Sequence, residues 1–140
     1  MEWAALISWI VTALGGFVLL GLWLQNGGMA SREPGRRIKP PLILTHFGLA
    51  AIGLVLWIIY VFNGSDTLAW IAFAILVVVA LIGWTMFAIW WQRRQAVAAA
   101  SPPSMSSQPA EQSFPVGIVT LHGLLAVTTV VLVFLTAIGV

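Results

Sequence analysis

Charge is so sparse and so clustered in this chain that it dictates the architecture. Six basic and four acidic residues occupy Glu2, Arg32, Glu33, Arg36, Arg37, Lys39, Asp66, Arg93, Arg94 and Glu111. Between them lie uncharged runs at 3–31, 40–65, 67–92 and 112–140, each longer than the roughly 20 apolar residues a helix needs to cross a bilayer. A further uncharged run, 95–110, holds Pro102, Pro103 and Pro109 among serines and glutamines. Its backbone would find no partners in lipid, so it reads as a loop. With 61% hydrophobic and 7% charged residues, the chain has too little polar surface for a water-soluble fold.

The pattern predicts an all-α fold, a four-helix transmembrane bundle forming a single membrane domain over 1–140. The spans fall at about 3–25, 41–62, 67–92 and 115–139. All six basic residues lie in the connections 26–40 and 93–114, while the connection at Asn63-Gly64-Ser65-Asp66 is a tight polar turn. Short Lys/Arg-rich loops stay in the cytoplasm. Loops 26–40 and 93–114 are therefore expected there, with both termini outside, in the cell membrane if the host is a bacterium. The same placement accounts for a sequence pI near 10.0 with a net charge of only +2: the basic residues set topology, and no nucleic-acid partner is expected. Met1-Glu2-Trp3 lacks the basic start of a secretory signal, so the first run reads as a permanent helix. All seven prolines fall in or at the edge of the two long loops, where none interrupts a span. Trp3, Trp57, Tyr60 and Trp70 are expected toward one membrane interface and Trp23, Trp90 and Trp91 toward the other, with Trp9 and Trp84 deeper.

The two halves read as a tandem duplication of a two-helix unit. Trp9 and Trp23 on the first span match Trp70 and Trp84 on the third, with Ala13/Ala74, Val18/Val79 and Leu20/Leu81 agreeing at the same displacement. On the second and fourth spans, His46, Leu49, Ala50, Val55 and Leu56 match His122, Leu125, Ala126, Val131 and Leu132. Copies of two spans each enter the membrane in one orientation, so a pseudo-two-fold axis would run along the membrane normal.

Chemistry has few candidates. The spans contain no Asp, Glu, Lys or Arg of the kind that marks ion and proton pathways, and no phosphate-binding glycine loop or nucleophile with its base. The chain also has no cysteine, which removes thiolate metal sites and iron–sulfur ligation. What remains inside the spans, apart from Tyr60, is His46 and His122. Each lies about 8–10 Å from the loop-side start of its helix, Pro41 or Pro115, so the two sit at nearly one depth on parallel helices. Diagonal placement in a sequential bundle would aim both imidazoles at one central space. Ala50 and Gly53 continue the face of His46, Ala126 and Thr129 that of His122, and these small residues leave room for a flat ligand.

Two imidazoles fill both axial positions of a haem iron, whereas a bare zinc or copper ion needs further ligands. The metal candidates are thus His46 and His122, the cofactor candidate is haem b, and Arg36, Arg37, Lys39, Arg93 and Arg94 are placed to receive its propionates. In architecture the chain resembles the cytochrome b561-type membrane cytochromes, helical bundles that hold haem b between histidines on different helices. That resemblance implies electron transfer with a redox partner. The family has two histidine pairs and two haems, and this sequence has one pair. Two other readings compete. In one, the histidines donate hydrogen bonds across helices, Tyr60, Thr85, Thr120, Thr128, Thr129 and Thr136 are packing groups, and the protein is an accessory subunit of a larger membrane complex. In the other it is a transporter or channel component. Chemistry by the chain alone is not expected, so it reads as no enzyme on its own.

Overall fold

In lipid, every backbone polar group must be satisfied within its own segment, and the chain answers with helices. The computed structural model describes residues 1–30, 38–99 and 109–140. Helix α1 spans Glu2–Gln25, α2 Pro40–Asn63, α3 Asp66–Ala99 and α4 Val116–Ala137, with a short 3-10 turn at Ala110–Ser113 before α4. All four α-helices are long and apolar enough to cross a membrane, and the protein is a small integral membrane protein built as a four-helix bundle. Pro40 and Pro41 open α2, where a missing N–H costs nothing. Gly64, with φ of 70°, closes it in the left-handed conformation and donates its N–H to the Tyr60 carbonyl. Asn63 Oδ1 accepts from the Ser65 N–H at 2.9 Å, which fixes the tight turn into α3. This end of the bundle, with Met1 and Val140, is the turn end; the other is the loop end.

One boundary differs from expectation. Helix α3 runs on to Ala99, because Gln95-Ala96-Val97-Ala98-Ala99 favours helix and carries no breaker. Arg93 and Arg94 are therefore helical, and the Arg94 guanidinium lies 5.5 Å from the Trp90 ring centroid.

Helix α1 packs chiefly on α4 and α2 chiefly on α3, with α1–α2 and α3–α4 completing the ring. Helices α2 and α4 are thus diagonal, and so are α1 and α3. The buried positions follow alternating steps of four and three: Ala5, Trp9, Thr12 and Trp23 on α1; Ala72, Leu76, Val79 and Trp90 on α3; Gly53, Trp57 and Tyr60 on α2; Thr129, Val133 and Thr136 on α4. Such spacing is the signature of helices crossing at shallow angles with interlocking side chains. At the turn end the core is dense. Trp57 packs against Tyr60 with ring centroids 4.7 Å apart and planes tilted by 47°, and lies 6.4 Å from Trp9 between ring centroids. Its Nε1 donates to the Glu2 carbonyl.

Burial pairs α1 with α3 in a different register from the one expected from the sequence. Trp9 is 3% exposed but Trp70 45%, and Trp23 is fully buried while Trp84 is 56% exposed. The matching pairs are instead Ala5/Ala72, Trp9/Leu76, Thr12/Val79 and Trp23/Trp90, all buried, with Trp3/Trp70 both exposed. For α2 and α4 the register set by the histidines holds, since Gly53/Thr129, Trp57/Val133 and Tyr60/Thr136 are buried in pairs. The expected aromatic belts shrink accordingly. Trp23, Trp57, Tyr60 and Trp90 pack inside the bundle, because a large apolar ring gains more contact between helices than beside mobile lipid chains. Trp84, expected deep, faces outward.

Candidate functional site

The two histidines are brought together. His46 on α2 and His122 on α4 face the bundle axis with ring centroids 6.4 Å apart and planes inclined by 67°. Each imidazole is anchored in the same way. His46 Nδ1 donates to the Val79 carbonyl of α3 at 3.0 Å, and His122 Nδ1 donates to the Thr12 carbonyl of α1 at 3.0 Å. A carbonyl only accepts, so both Nδ1 atoms carry a proton, and in the neutral imidazole each Nε2 then keeps its lone pair. No protein group among the described residues engages either Nε2.

Glycines let the rings come this close to the neighbouring helices. A Cβ on Gly16 would stand 3.2 Å from His122 Cε1, and one on Gly83 would stand 3.1 Å from His46 Cε1. Each glycine is one helical turn beyond the carbonyl that its histidine uses. Gly15 adds a second close approach, 3.5 Å from His122 Nδ1. Beside them, Phe17 of α1 meets Phe47 of α2 edge to face at 5.4 Å.

The level of the histidines is also where the core changes character. Gly16 and Leu19 on α1, Gly83 and Met86 on α3, His46 and Ala50, and His122 and Ala126 continue the four inward stripes, yet all are only half-buried. Burial resumes at Trp23 and Trp90. In a bundle packed to ordinary density these positions would be covered by one another. Here the two rings lie against α1 and α3 at the glycines, and burial stays partial on all four helices.

Of the residues expected to line this space, Ala50 and Ala126 lie within it, next to the histidines on their helices. Gly53 and Thr129 belong to the packed half. A Cβ on Gly53 would meet the Trp9 ring at 3.0 Å, so its small size accommodates a tryptophan. Thr129 hydroxyl stands 2.8 Å from that of Ser8 and 3.1 Å from that of Thr12. Lys39 is exposed at the start of α2 on the loop end, and Arg93 and Arg94 share that end. Arg36 and Arg37 lie outside the described residues. Sequence reasoning passed over Gly15, Gly16, Gly83 and the carbonyls of Thr12 and Val79. Glycines inside otherwise unbroken helices were the available signal.

No group of three or more His, Cys, Asp or Glu comes together among the described residues, which leaves a bare metal ion short of protein ligands. Comparison with known protein families, with curated proteins and with solved structures gives no match.

Proposed function

We propose that the protein binds one b-type haem through His46 and His122 and serves in one-electron transfer within the membrane. The observation that carries this reading is the paired state of the imidazoles: both fixed as Nδ1–H donors, both Nε2 atoms free, both rings level across the axis. Histidines that ligate metals characteristically give their other N–H to a backbone carbonyl or carboxylate, which sets tautomer and orientation. The spacing agrees. Two metal–nitrogen bonds of about 2.0–2.1 Å, with about 1.1 Å from each nitrogen to its ring centre, sum to about 6.3 Å, beside the 6.4 Å here.

The surroundings suit a flat ligand: Gly16 and Gly83 leave helix surface without a Cβ beside the imidazoles, and the inward stripes at that level are only half-buried. Bound there, a haem with both axial positions filled would supply low-spin electron transfer rather than oxygen chemistry. Lys39, Arg93 and Arg94, with Arg36 and Arg37, would meet its propionates at the loop end. We place that end in the cytoplasm on the positive-inside bias of loop 26–40 and of Arg93 and Arg94 at the end of α3, with both termini outside.

A second reading has one observation in its favour. The Nδ1 bonds join α2 to α3 and α4 to α1, which by itself is what a packing histidine does in a membrane. That reading makes the protein an accessory subunit of a larger membrane complex. Purification in detergent from haem-replete cells separates the two. A Soret band, with sharp visible bands on reduction, is expected; colourless protein would decide for the accessory subunit.

A further inference from the structure

A second unusual group lies at the loop end. Glu111 is 1% exposed, and neither carboxylate oxygen has a hydrogen-bond partner. It sits on the 3-10 turn Ala110–Ser113, which packs against α1 and α3 and is held by the Gln112 N–H on the Pro109 carbonyl and the Ser113 hydroxyl on the Ala110 carbonyl. Ala110 and Ile38 are buried with it, as are Trp23 and Trp90, one on each helix under the turn. Trp90 Nε1 and Arg93 Nε are also buried without partners. A surface carboxylate would be held by water, and a structural one by fixed donors. Glu111 has neither.

Its position relative to the histidines gives it a use. Trp23 and Trp90 lie seven residues beyond Gly16 and Gly83, about 10 Å along the helices, so the turn covering them caps the space around His46 and His122. An electron added there raises the negative charge inside a poorly screened bundle. Compensation requires a group that can gain a proton. On the elements packed against the turn, α3 offers the guanidinium groups of Arg93 and Arg94, which are donors only, and α1 offers no charged group at this end. Lys39, at the start of α2, is exposed and already cationic. Glu111 is the only carboxylate at this end among the described residues.

We propose that Glu111 is a redox-linked proton site: it takes up one proton from the loop-end solvent when the neighbouring haem iron gains one electron, and releases it on oxidation. The inference rests on the haem reading above. The balance is Fe(III) with carboxylate, plus one electron from an external one-electron reductant and one proton, giving Fe(II) with carboxylic acid. One unit charge at roughly 10–15 Å in an effective dielectric of about 20 changes the proton equilibrium by a factor on the order of ten. A tenfold change corresponds to about 59 mV for a one-electron couple.

The test is a spectroelectrochemical titration of the purified, haem-loaded protein across pH, with the carboxylic C=O stretch followed in redox-difference infrared spectra in H2O and D2O. The midpoint potential is expected to fall by about 59 mV in total from acid to alkaline pH, and a deuterium-sensitive carboxylic band is expected to grow on reduction. In Glu111→Gln both are lost, while Glu111→Asp retains the band. A pH-independent wild-type potential, or a pH-dependent one that Glu111→Gln leaves unchanged, overturns the proposal while leaving haem binding intact. Should Glu111→Gln not fold, absence of the carboxylic band in the wild type overturns it equally. A protein without haem absorbance fails at the earlier step and ends both readings.

Discussion

His46 and His122 meet across the bundle axis with ring centroids 6.4 Å apart, although the helices that carry them do not pack against each other. Each ring is held by the carbonyl of a different helix, Val79 on α3 and Thr12 on α1. All four helices therefore converge on this one pair. Such an arrangement needs four backbones to agree in depth and rotation, and one turn further on it needs two glycines to keep clear of the rings.

Removing either ligand should leave a different signature from removing both. His46→Ala and His122→Ala are each expected to convert a six-coordinate spectrum to a five-coordinate one or to abolish it, and the double variant to be colourless. Added imidazole should restore the low-spin bands in a single variant that retains haem, since it can occupy the freed axial position. Single variants with unchanged spectra would remove His46 and His122 as ligands.

The glycines give a test of fit. Gly83→Val and Gly16→Val would each drive a branched side chain into the adjacent imidazole, where even a Cβ stands only 3.1 or 3.2 Å from Cε1. Gly48→Val, on α2 where an added Cβ meets nothing within 4 Å, is the control. Haem retained per mole of purified protein should fall at least about tenfold in the first two, which is roughly 1.4 kcal/mol of lost binding, and stay near wild type in the third. Equal retention in all three would show that the glycines serve only helix packing.

Much of this arrangement is legible in the sequence, and its failures share a physical cause. The depth of the histidines follows from Pro41 and Pro115, which mark where α2 and α4 begin, and the diagonal placement follows from a sequential up-and-down order of the four helices. Rotation about each helix axis is harder to read. A membrane helix is apolar all round, so no polar face marks its outside, and Trp9, Trp70 and Trp84 look alike until packing sorts them. Both Trp9–Trp23 and Trp3–Trp23 have a spacing-matched counterpart on α3, in Trp70–Trp84 and Trp70–Trp90; only burial chooses the second. Gly53 misleads for the same reason, since its open space is filled by a tryptophan from α1. Glu111 stood in a run rich in proline and serine that reads as loop, and composition says nothing of a short turn folding back over the helix ends.

Orientation is testable at two exposed points. Cysteine introduced at Thr67, beside the Asn63–Asp66 turn, should react in intact cells with a membrane-impermeant maleimide. Cysteine at Ser113, on the loop end, should react only after the cells are opened. The expectation follows from the confinement of every Lys and Arg to the first long connection and to the last turns of α3 with the connection after it. The reverse pattern would invert the proposed topology, and labelling of both sites in intact cells would contradict four crossings.

The revised repeat register can be tested by stability. Trp23 and Trp90 are equivalent under the structural register and both are buried at the loop end, whereas Trp84 is the sequence-matched partner of Trp23 and faces outward at 56% exposure. In a membrane the apolar transfer term largely cancels, because lipid tails solvate an indole about as well as a helix does. What remains is the packing lost when a close-fitted ring is cut back to a methyl group, which the neighbouring helices cannot wholly refill. Trp23→Ala and Trp90→Ala should each cost about 3 kcal/mol, the lower part of the range for such truncations, and by similar amounts. Trp84→Ala should cost under about 1 kcal/mol, as surface changes usually do. Reversible unfolding in mixed micelles, followed by helical circular dichroism, supplies the comparison. A Trp84→Ala loss equal to that of Trp23→Ala, with Trp90→Ala neutral, would return the duplication to the Trp9/Trp70 and Trp23/Trp84 pairing and detach the buried stripes from the histidine site they flank.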